Sequence, residues 1–438
     1  MPFRGMGVSP MLEPRSTTNR RTHGRDAHAT RKRRDDFAVS LALRNIRGSF
    51  HLFLITLKRA IIMRNPLRFL IASVAVAVVT GSGIGHVDAA DTKPLKVFFL
   101  TQSGGFEHSA VKRPAVDKLS LAEETVTQIG KDSGVFTVQC SKDATLITAD
   151  LLKGMDVVMF YSTGNILGKN EPVKAKTPDE EWVQKNEPLP FTEDTWNAFD
   201  GWLKSGKAMV GIHSATDTGG NFKPFSSLIN GTFAGHPWNS GNDVVFTNHE
   251  PSHPAVAMWP AEFGFKEEIY EYKNYEMSAV RVLISLNMEK TGLKMPRLVP
   301  VSWVRDYEKG RLFYTNLGHN ESTWKNPLFQ QHLLAGIKWA AKQTQGPSKP
   351  NPELQVELEK KSKAAAYVAA VAELAQLSGK PEADLKAAWN KAVAADAGNA
   401  EKLFNQIESA RRIDGKKEPE KRTAEIAKAA EAVLAAGK

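Results

Sequence analysis

The 438-residue chain has one cysteine, Cys140. That excludes an intrachain disulfide and any centre built from several thiolates. Cys140 lies in the strand-like run "VFTVQCS", where a buried structural thiol is expected. An excess of one charge is also missing from most of the chain. The formal charge is +10, but residues 1–62 alone carry 13 Lys/Arg against 4 Asp/Glu, and residues 63–90 add Arg64, Arg68 and Asp88. Residues 91–438 are therefore neutral, and no nucleic-acid partner is expected for them. Long apolar runs are scarce too. "FLIASVAVAVVT" (69–80) falls short of the roughly 20 residues that span a bilayer. No cysteine follows that run, so a bacterial lipid anchor is not expected.

What the N-terminus does have is a secretory layout. Met63-Arg64-Asn65-Pro66-Leu67-Arg68 is a short basic start, the apolar run follows, and Val87 and Ala89 suit cleavage after Ala89. Residues 63–89 read as a signal peptide, the alternative being an uncleaved anchor. The expected location is secreted or periplasmic, with membrane contact only through this segment. Residues 1–62 read as a basic extension ahead of the true start at Met63, the alternative being a real basic arm.

Residues 95–342 read as one α/β domain. "LKVFFLT" (95–101), "VFTVQCS", "MDVVMFYST" (155–163) and "KAMVGIHS" (207–214) are strands, separated by helical spacing such as Val116, Leu119, Ala122, Val126 and Ile129. Residues 164–191, with four prolines, read as a long surface loop or lid. "TEDTWNAFDGWLKSG" (192–206) reads as a helix capped by Thr192. Further strands are expected at 243–249, 265–272, 280–286, 299–306 and 310–319, and a closing helix at 327–342. The pattern predicts an open, mainly parallel sheet with helices on both faces, flavodoxin-like, binding ligands beyond the carboxyl ends of its strands. Residues 343–352 read as a linker. Residues 353–438, rich in Ala, Lys and Glu, read as an all-helical tail, a weak bundle or spacer to which no chemistry is assigned.

Seven of the 11 histidines fall between residues 108 and 332. His108 follows the first strand, His213 ends the fourth, and His319 ends "RLFYTNLGH", so all three are expected at one rim. His236 lies in "GTFAGHPW". Imidazole suits proton transfer near neutral pH and metal ligation alike. Each has a plainer alternative: a loop residue at His108, a ring satisfied by backbone at His213, a shaped turn at His236 before Pro237. His332, beside Phe329 and Leu333, reads as a core or boundary histidine. Glu268, in "FKEEIYEY", could join the crevice or belong to a solvated strand face with Glu267, Tyr270 and Glu271. Asp217 could bind substrate or cap a helix. Trp238 and Trp324 could stack on sugar rings or simply pack. "HEPSH" (249–253) matches H-E-x-x-H, but Pro251 and Pro254 deny it the helix that pattern needs, so it reads as a turn.

The pieces "GFEHSA" (105–110), "VGIHSATDT" (210–218), "FSSLINGTFAGHPW" (225–238), "HPAV" (253–256), "EEIYEY" (267–272), "PVSWVRDYEKGRLFYTNLGHNESTW" (300–324) and "FQQHLLAGIKWA" (329–340) resemble the ThuA, or trehalose-utilisation, family. That resemblance implies a fold similar to class I glutamine amidotransferases, in which a cysteine stands at the elbow after a strand. His213 takes that place here, so covalent glutaminase chemistry lacks its nucleophile. The resemblance also implies disaccharide utilisation by way of 3-keto-glycosides. His213 is then the expected base, with His319, His236 and Glu268 as acid or polarising groups and His108, Asp217, Trp238 and Trp324 around a small sugar substrate. A divalent metal on His and Glu could polarise the substrate instead. The competing readings are a non-catalytic sugar-binding module and a metal-dependent hydrolase. The residues set no oligomeric state.

Overall fold

The protein is described by a computed structural model covering residues 93–166, 192–219 and 222–438. The basic extension, the signal segment and most of the loop expected at 164–191 lie outside the described residues. In chain order the first half holds β1 (Leu95–Leu100), β2 (Ser103–Gly104), α1 (Leu121–Ser133), β3 (Phe136–Ser141), α2 (Ala149–Lys153), β4 (Val157–Phe160), β5 (Thr163–Gly164), α3 (Glu193–Lys204), β6 (Ala208–Ile212) and α4 (Lys223–Ile229). Then follow β7 (Thr232–Trp238), β8 (Asp243–Asn248), β9 (Glu262–Lys266), β10 (Ile269–Lys273), β11 (Arg281–Leu286), β12 (Pro300–Tyr307), β13 (Gly310–Thr315), α5 (Glu321–Trp324) and α6 (Pro327–Ala340). Four helices end the chain: α7 (Pro352–Ser378), α8 (Glu382–Ala395), α9 (Gly398–Arg411) and α10 (Pro419–Ala436).

Nine strands form one sheet in the order β3-β1-β4-β6-β13-β12-β11-β8-β9. The first five are mutually parallel, and four antiparallel strands extend that block from β13. The inner strands β1, β4 and β6 are apolar along most of their length because both their faces are covered. Their period of two sends alternate residues to opposite layers. Val97, Phe99, Val157, Met159, Val210 and Ile212 join α1 and α6 residues such as Val126, Phe329 and Ile337 in one core. Phe98, Leu100, Val158, Phe160 and Met209 join Phe199 and Leu203 of α3 and Phe225 and Leu228 of α4 in the other.

Local sequence explains most element ends. Ser120 and Glu123 form a reciprocal capping box on α1, and Gly134 closes it in the left-handed conformation at φ +65°. α1 begins only at Leu121. Val116, which the apolar spacing had assigned to that helix, stands exposed in the preceding loop. The strand expected at 265–272 is broken instead: β9 ends at Lys266 and β10 starts at Ile269, which leaves Glu267 and Glu268 at the corner. β10 pairs with β7 in a separate two-stranded ribbon.

The segment after α6 is strapped down. His253 Nε2 meets the Pro347 carbonyl at 3.1 Å, Arg281 donates to the Lys349 carbonyl, and the Asn351 carboxamide pairs with both the N–H and C=O of Val282. Gln355 on α7 donates to the carbonyls of Met277 and Val280. The tail helices bury a core of their own, with Leu374, Leu385, Leu403, Ile407 and Val433 at its centre. Among the described residues no helix is long and apolar enough to cross a membrane.

His332 is fully buried, as the sequence suggested. Its Nδ1–H donates to the Ala255 carbonyl at 2.7 Å, and its Nε2 faces the Thr315 hydroxyl at 3.2 Å. Burial holds its pKa down at about 4, and burial does the same for His249 and His253. In the unfolded chain these rings take up protons near pH 6.5; in the fold they resist until near pH 4. The stability they support is therefore full above pH 6.5 and is lost as pH falls toward 4. Thermal unfolding followed from pH 7 to 4 is expected to show that decline. His332→Gln should flatten it by one proton, about 1.4 kcal/mol per pH unit. A midpoint independent of pH over this range would contradict the assignment.

Candidate metal centre

The carboxyl ends of the parallel strands meet at one rim, which carries most of the candidate residues. β6 and β13 are neighbours in register, Ile212 opposite Thr315, so His213 and Asn316 emerge side by side. His213 has φ +44°, a left-handed backbone that a non-glycine residue adopts at a cost of about 1–3 kcal/mol. This is the sharp strand-to-helix turn that the run "VGIHSA" implied, and a short 3-10 helix, His213–Asp217, follows it. The Tyr314 hydroxyl donates to the His213 carbonyl at 2.6 Å, and the His213 Nδ1–H donates to the Asn316 carbonyl at 2.7 Å. With Nδ1 engaged, Nε2 carries the free lone pair of the neutral ring.

Asn316 does a second job. Its carboxamide accepts from the Tyr270 N–H and donates to the Tyr270 carbonyl, clamping β10 above the rim. That clamp brings the corner before β10 over the end of the sheet. Glu268 lies there with Oε1 3.7 Å from His213 Nε2 and 3.0 Å from His319 Nδ1. His108 comes from the loop after β1. Its ring stands 4.9 Å from the His213 ring and 5.1 Å from the His319 ring, centre to centre, and its Nε2 is 3.2 Å from the Tyr270 hydroxyl.

Four residues thus converge. His108, His213, Glu268 and His319 each offer an atom that could ligate a metal, and these atoms all lie within 4.8 Å of one another. His108 Nδ1, His213 Nε2 and His319 Nδ1 are buried without a hydrogen-bond partner. The Glu268 contacts are close enough for ion pairing, yet they lack hydrogen-bond geometry at these nitrogens. Buried ring nitrogens are rarely left bare, because each forfeits its solvation. Burial pushes the Glu268 carboxyl up, but His213 and His319 outweigh it and hold the group below the usual carboxylate range. Burial lowers His108 strongly, and the neighbouring imidazoles His213 and His319 add to that. A carboxylate held in its ionised form among three imidazoles is a donor set that suits a divalent cation.

The neighbouring carboxylate, Glu267, is not on a solvated face. It is fully buried and accepts from the N–H groups of Gly318 (3.3 Å) and Asn320 (3.0 Å), from the Thr323 hydroxyl, and from the N–H of Glu268 (3.0 Å). It therefore grips the backbone on both sides of His319. Gly318 has φ +123°, a conformation that favours glycine, and a Cβ there would press on Ile212 and Phe329. Its carbonyl accepts from the Tyr161 hydroxyl (2.8 Å) and the Trp324 Nε1–H (2.7 Å).

Three of the residues expected to bind substrate are not among these four. Trp324 is fully buried, parallel to Tyr161 at 5.7 Å, and braces the His319 loop rather than offering a face to a sugar. Trp238 is buried as well, with its N–H spent on the Leu293 carbonyl. Their ring area made both plausible platforms, but that same area is what the core takes up. Asp217 ends the 3-10 helix and does not cap α4, which begins after Phe222 with no side-chain cap. Burial pushes its carboxyl up to about 6, against a backbone hydrogen bond at Gly164 and the charge of Lys273. His236, on β7, stands at the lip. Its side chain is 50% exposed and its Nδ1 lies 3.4 Å from Glu268 Oε2. "HEPSH" is a turn, as its prolines required, and His249 bonds the Ser285 hydroxyl at 2.8 Å instead.

The domain is a mixed α/β sheet whose parallel half carries a three-histidine, one-carboxylate cluster at its carboxyl rim. The family model described as "ThuA: Trehalose utilisation" matches residues 96–340, and the chain belongs to that family. Among solved structures, a ThuA-like protein from Parabacteroides merdae is 19% identical, with 60% of this chain and 99% of that one covered and a TM-score of 0.41. A ThuA-like protein from Bacteroides uniformis is 18% identical, covering 62% of this chain and 100% of that one, with a TM-score of 0.44. No curated protein matches the chain.

Proposed function

We propose that this protein is a divalent-metal-dependent enzyme of carbohydrate utilisation, acting by acid/base chemistry on a sugar carbonyl. The observation that carries the reading is the set of three buried ring nitrogens, none with a hydrogen-bond partner, gathered around Glu268. Three imidazoles and a carboxylate suit a first-row transition ion better than Mg²⁺ or Ca²⁺, which favour oxygen ligands. Such an ion would supply Lewis-acid polarisation of a sugar oxygen. The sugar is supported by the family, whose description is trehalose utilisation.

The residues then divide their work differently from what the sequence alone suggested. His213 is fully buried and its Nδ1 is engaged, so it suits holding an ion rather than meeting substrate as a base. His236 is the exposed imidazole beside Glu268 and takes the base role. On a 3-keto-glycoside it would accept the proton from C2. The electron pair left behind forms the enolate with the C3 oxygen. Protonation at C3 and its oxygen, with loss of the C2 hydroxyl proton, gives the 2-keto isomer, whereas breaking the C1–O bond, with the departing oxygen taking up a proton, forms the C1=C2 bond of an elimination. Export of the protein by residues 63–89 would place this chemistry outside the cytoplasm.

The test is chelation followed by metal replacement, read as turnover on disaccharides and their 3-keto derivatives. Chelation should abolish turnover and a first-row divalent ion should restore it. Full turnover in protein verified to be metal-free would overturn the metal and leave acid/base chemistry by the histidines alone. Saturable sugar binding without turnover in either form would make the domain a binding module.

A further inference from the structure

We propose that Phe106 is the platform on which the apolar face of a pyranose ring lies as it enters the histidine cluster, an inference that rests on the site acting on carbohydrate. Phe106 is 67% exposed, and among the described residues it is the only aromatic side chain among the exposed large apolar ones. Its ring meets His108 edge-on, at 4.9 Å between centres and 86° between planes. It is thus one side chain away from the cluster.

The exposure is built in. The Thr163 hydroxyl donates to the Phe106 carbonyl at 2.9 Å, and β2 pairs with β5 just before it. On the other side Glu107 is paired with Lys142 at 3.0 Å, both side chains mostly covered. The His108 carbonyl accepts from the N–H groups of Val111 and Lys112. The backbone around the ring is pinned on both sides, while the ring itself is left in water. Leaving a phenyl ring exposed forgoes the gain of burying it, and a hydrogen-bonded loop holds it there against His108. Sugars present an apolar C–H face to such rings and polar hydroxyls at their edges. The other exposed group at the cluster is His236, whose ring stacks on Phe233 at 6.0 Å. A sugar lying on Phe106 would meet an apolar surface directly beside His108 of the cluster. Trp238 and Trp324, being buried, leave this role open.

The experiment is titration of the full-length protein with trehalose, and with its 3-keto derivative, by calorimetry. Phe106→Ala and Phe106→Trp are compared with the parent protein, and metal content and unfolding midpoint are measured on the same samples. Phe106→Ala should bind roughly tenfold more weakly with metal content and midpoint unchanged, while Phe106→Trp keeps the parent affinity. Equal affinity in Phe106→Ala and the parent overturns the platform, as does a parent that binds neither sugar; bound metal in that sample would leave the metal centre standing. Phe106-dependent binding in a parent that holds no metal would instead keep the platform and remove the metal.

Discussion

Glu268→Gln is expected to give a folded protein that no longer holds a divalent ion and turns over sugar at least about 1,000-fold more slowly. The substitution keeps the shape of the side chain and removes the negative charge that faces His213 and His319. Loss of a partner outside the ligand shell costs a metal site about 10- to 100-fold in affinity, so removal of the carboxylate ligand itself should exceed that. The fold should tolerate the change, because none of the hydrogen bonds that hold the His319 loop runs to this side chain. Those bonds go to Glu267, Tyr161 and Trp324. The comparison is made by metal analysis and thermal unfolding of the variant. A variant with full metal content and full activity would remove Glu268 from the site.

Glu267→Leu should do the reverse and damage the fold first. Glu267 is fully buried and satisfies three backbone N–H groups and one hydroxyl. Leucine fills much of the volume and accepts nothing. Stranding several buried donors at once costs about 3–5 kcal/mol, comparable with breaking a buried charged network. Denaturant unfolding would measure that loss. Glu267→Gln keeps one acceptor oxygen and should lose less stability, yet it should still weaken metal binding, because the Gly318–Asn320 backbone that presents His319 relaxes. A Glu267→Gln protein with unaltered metal affinity would confine this residue to a structural role.

The contrast between these two adjacent glutamates shows where sequence reasoning reaches its limit. The strands β1, β4 and β6 were legible because a strand covered on both faces must be apolar throughout, and few other elements look like that. The rim position of His108, His213 and His319 followed from the same strands, since a residue just past a parallel strand's end has one place to go. Glu268 was legible only as a member of "EEIYEY", a stretch whose local pattern continues β9 without a break. The break depends on Asn316, almost fifty residues away, whose carboxamide clamps Tyr270 and turns the chain at the rim. No local periodicity encodes such a clamp. The polar run "TNLGHN" directly after an apolar strand was the one hint that Asn316 had a task there. The same limit applies to aromatic rings. Trp324 and Phe106 both neighbour a site histidine in sequence, yet one is sealed into the core and the other held in water. Only packing from distant elements decides which.

The most direct measurement is a titration of the protein, stripped of metal, with Zn²⁺ and Mn²⁺, joined to anomalous scattering from crystals grown with the tighter-binding ion. One ion per chain is expected, bonded at about 2.0–2.2 Å to nitrogens of His108, His213 and His319 and to an oxygen of Glu268. A protein that binds no ion stoichiometrically, or holds it away from these four residues, would contradict the account.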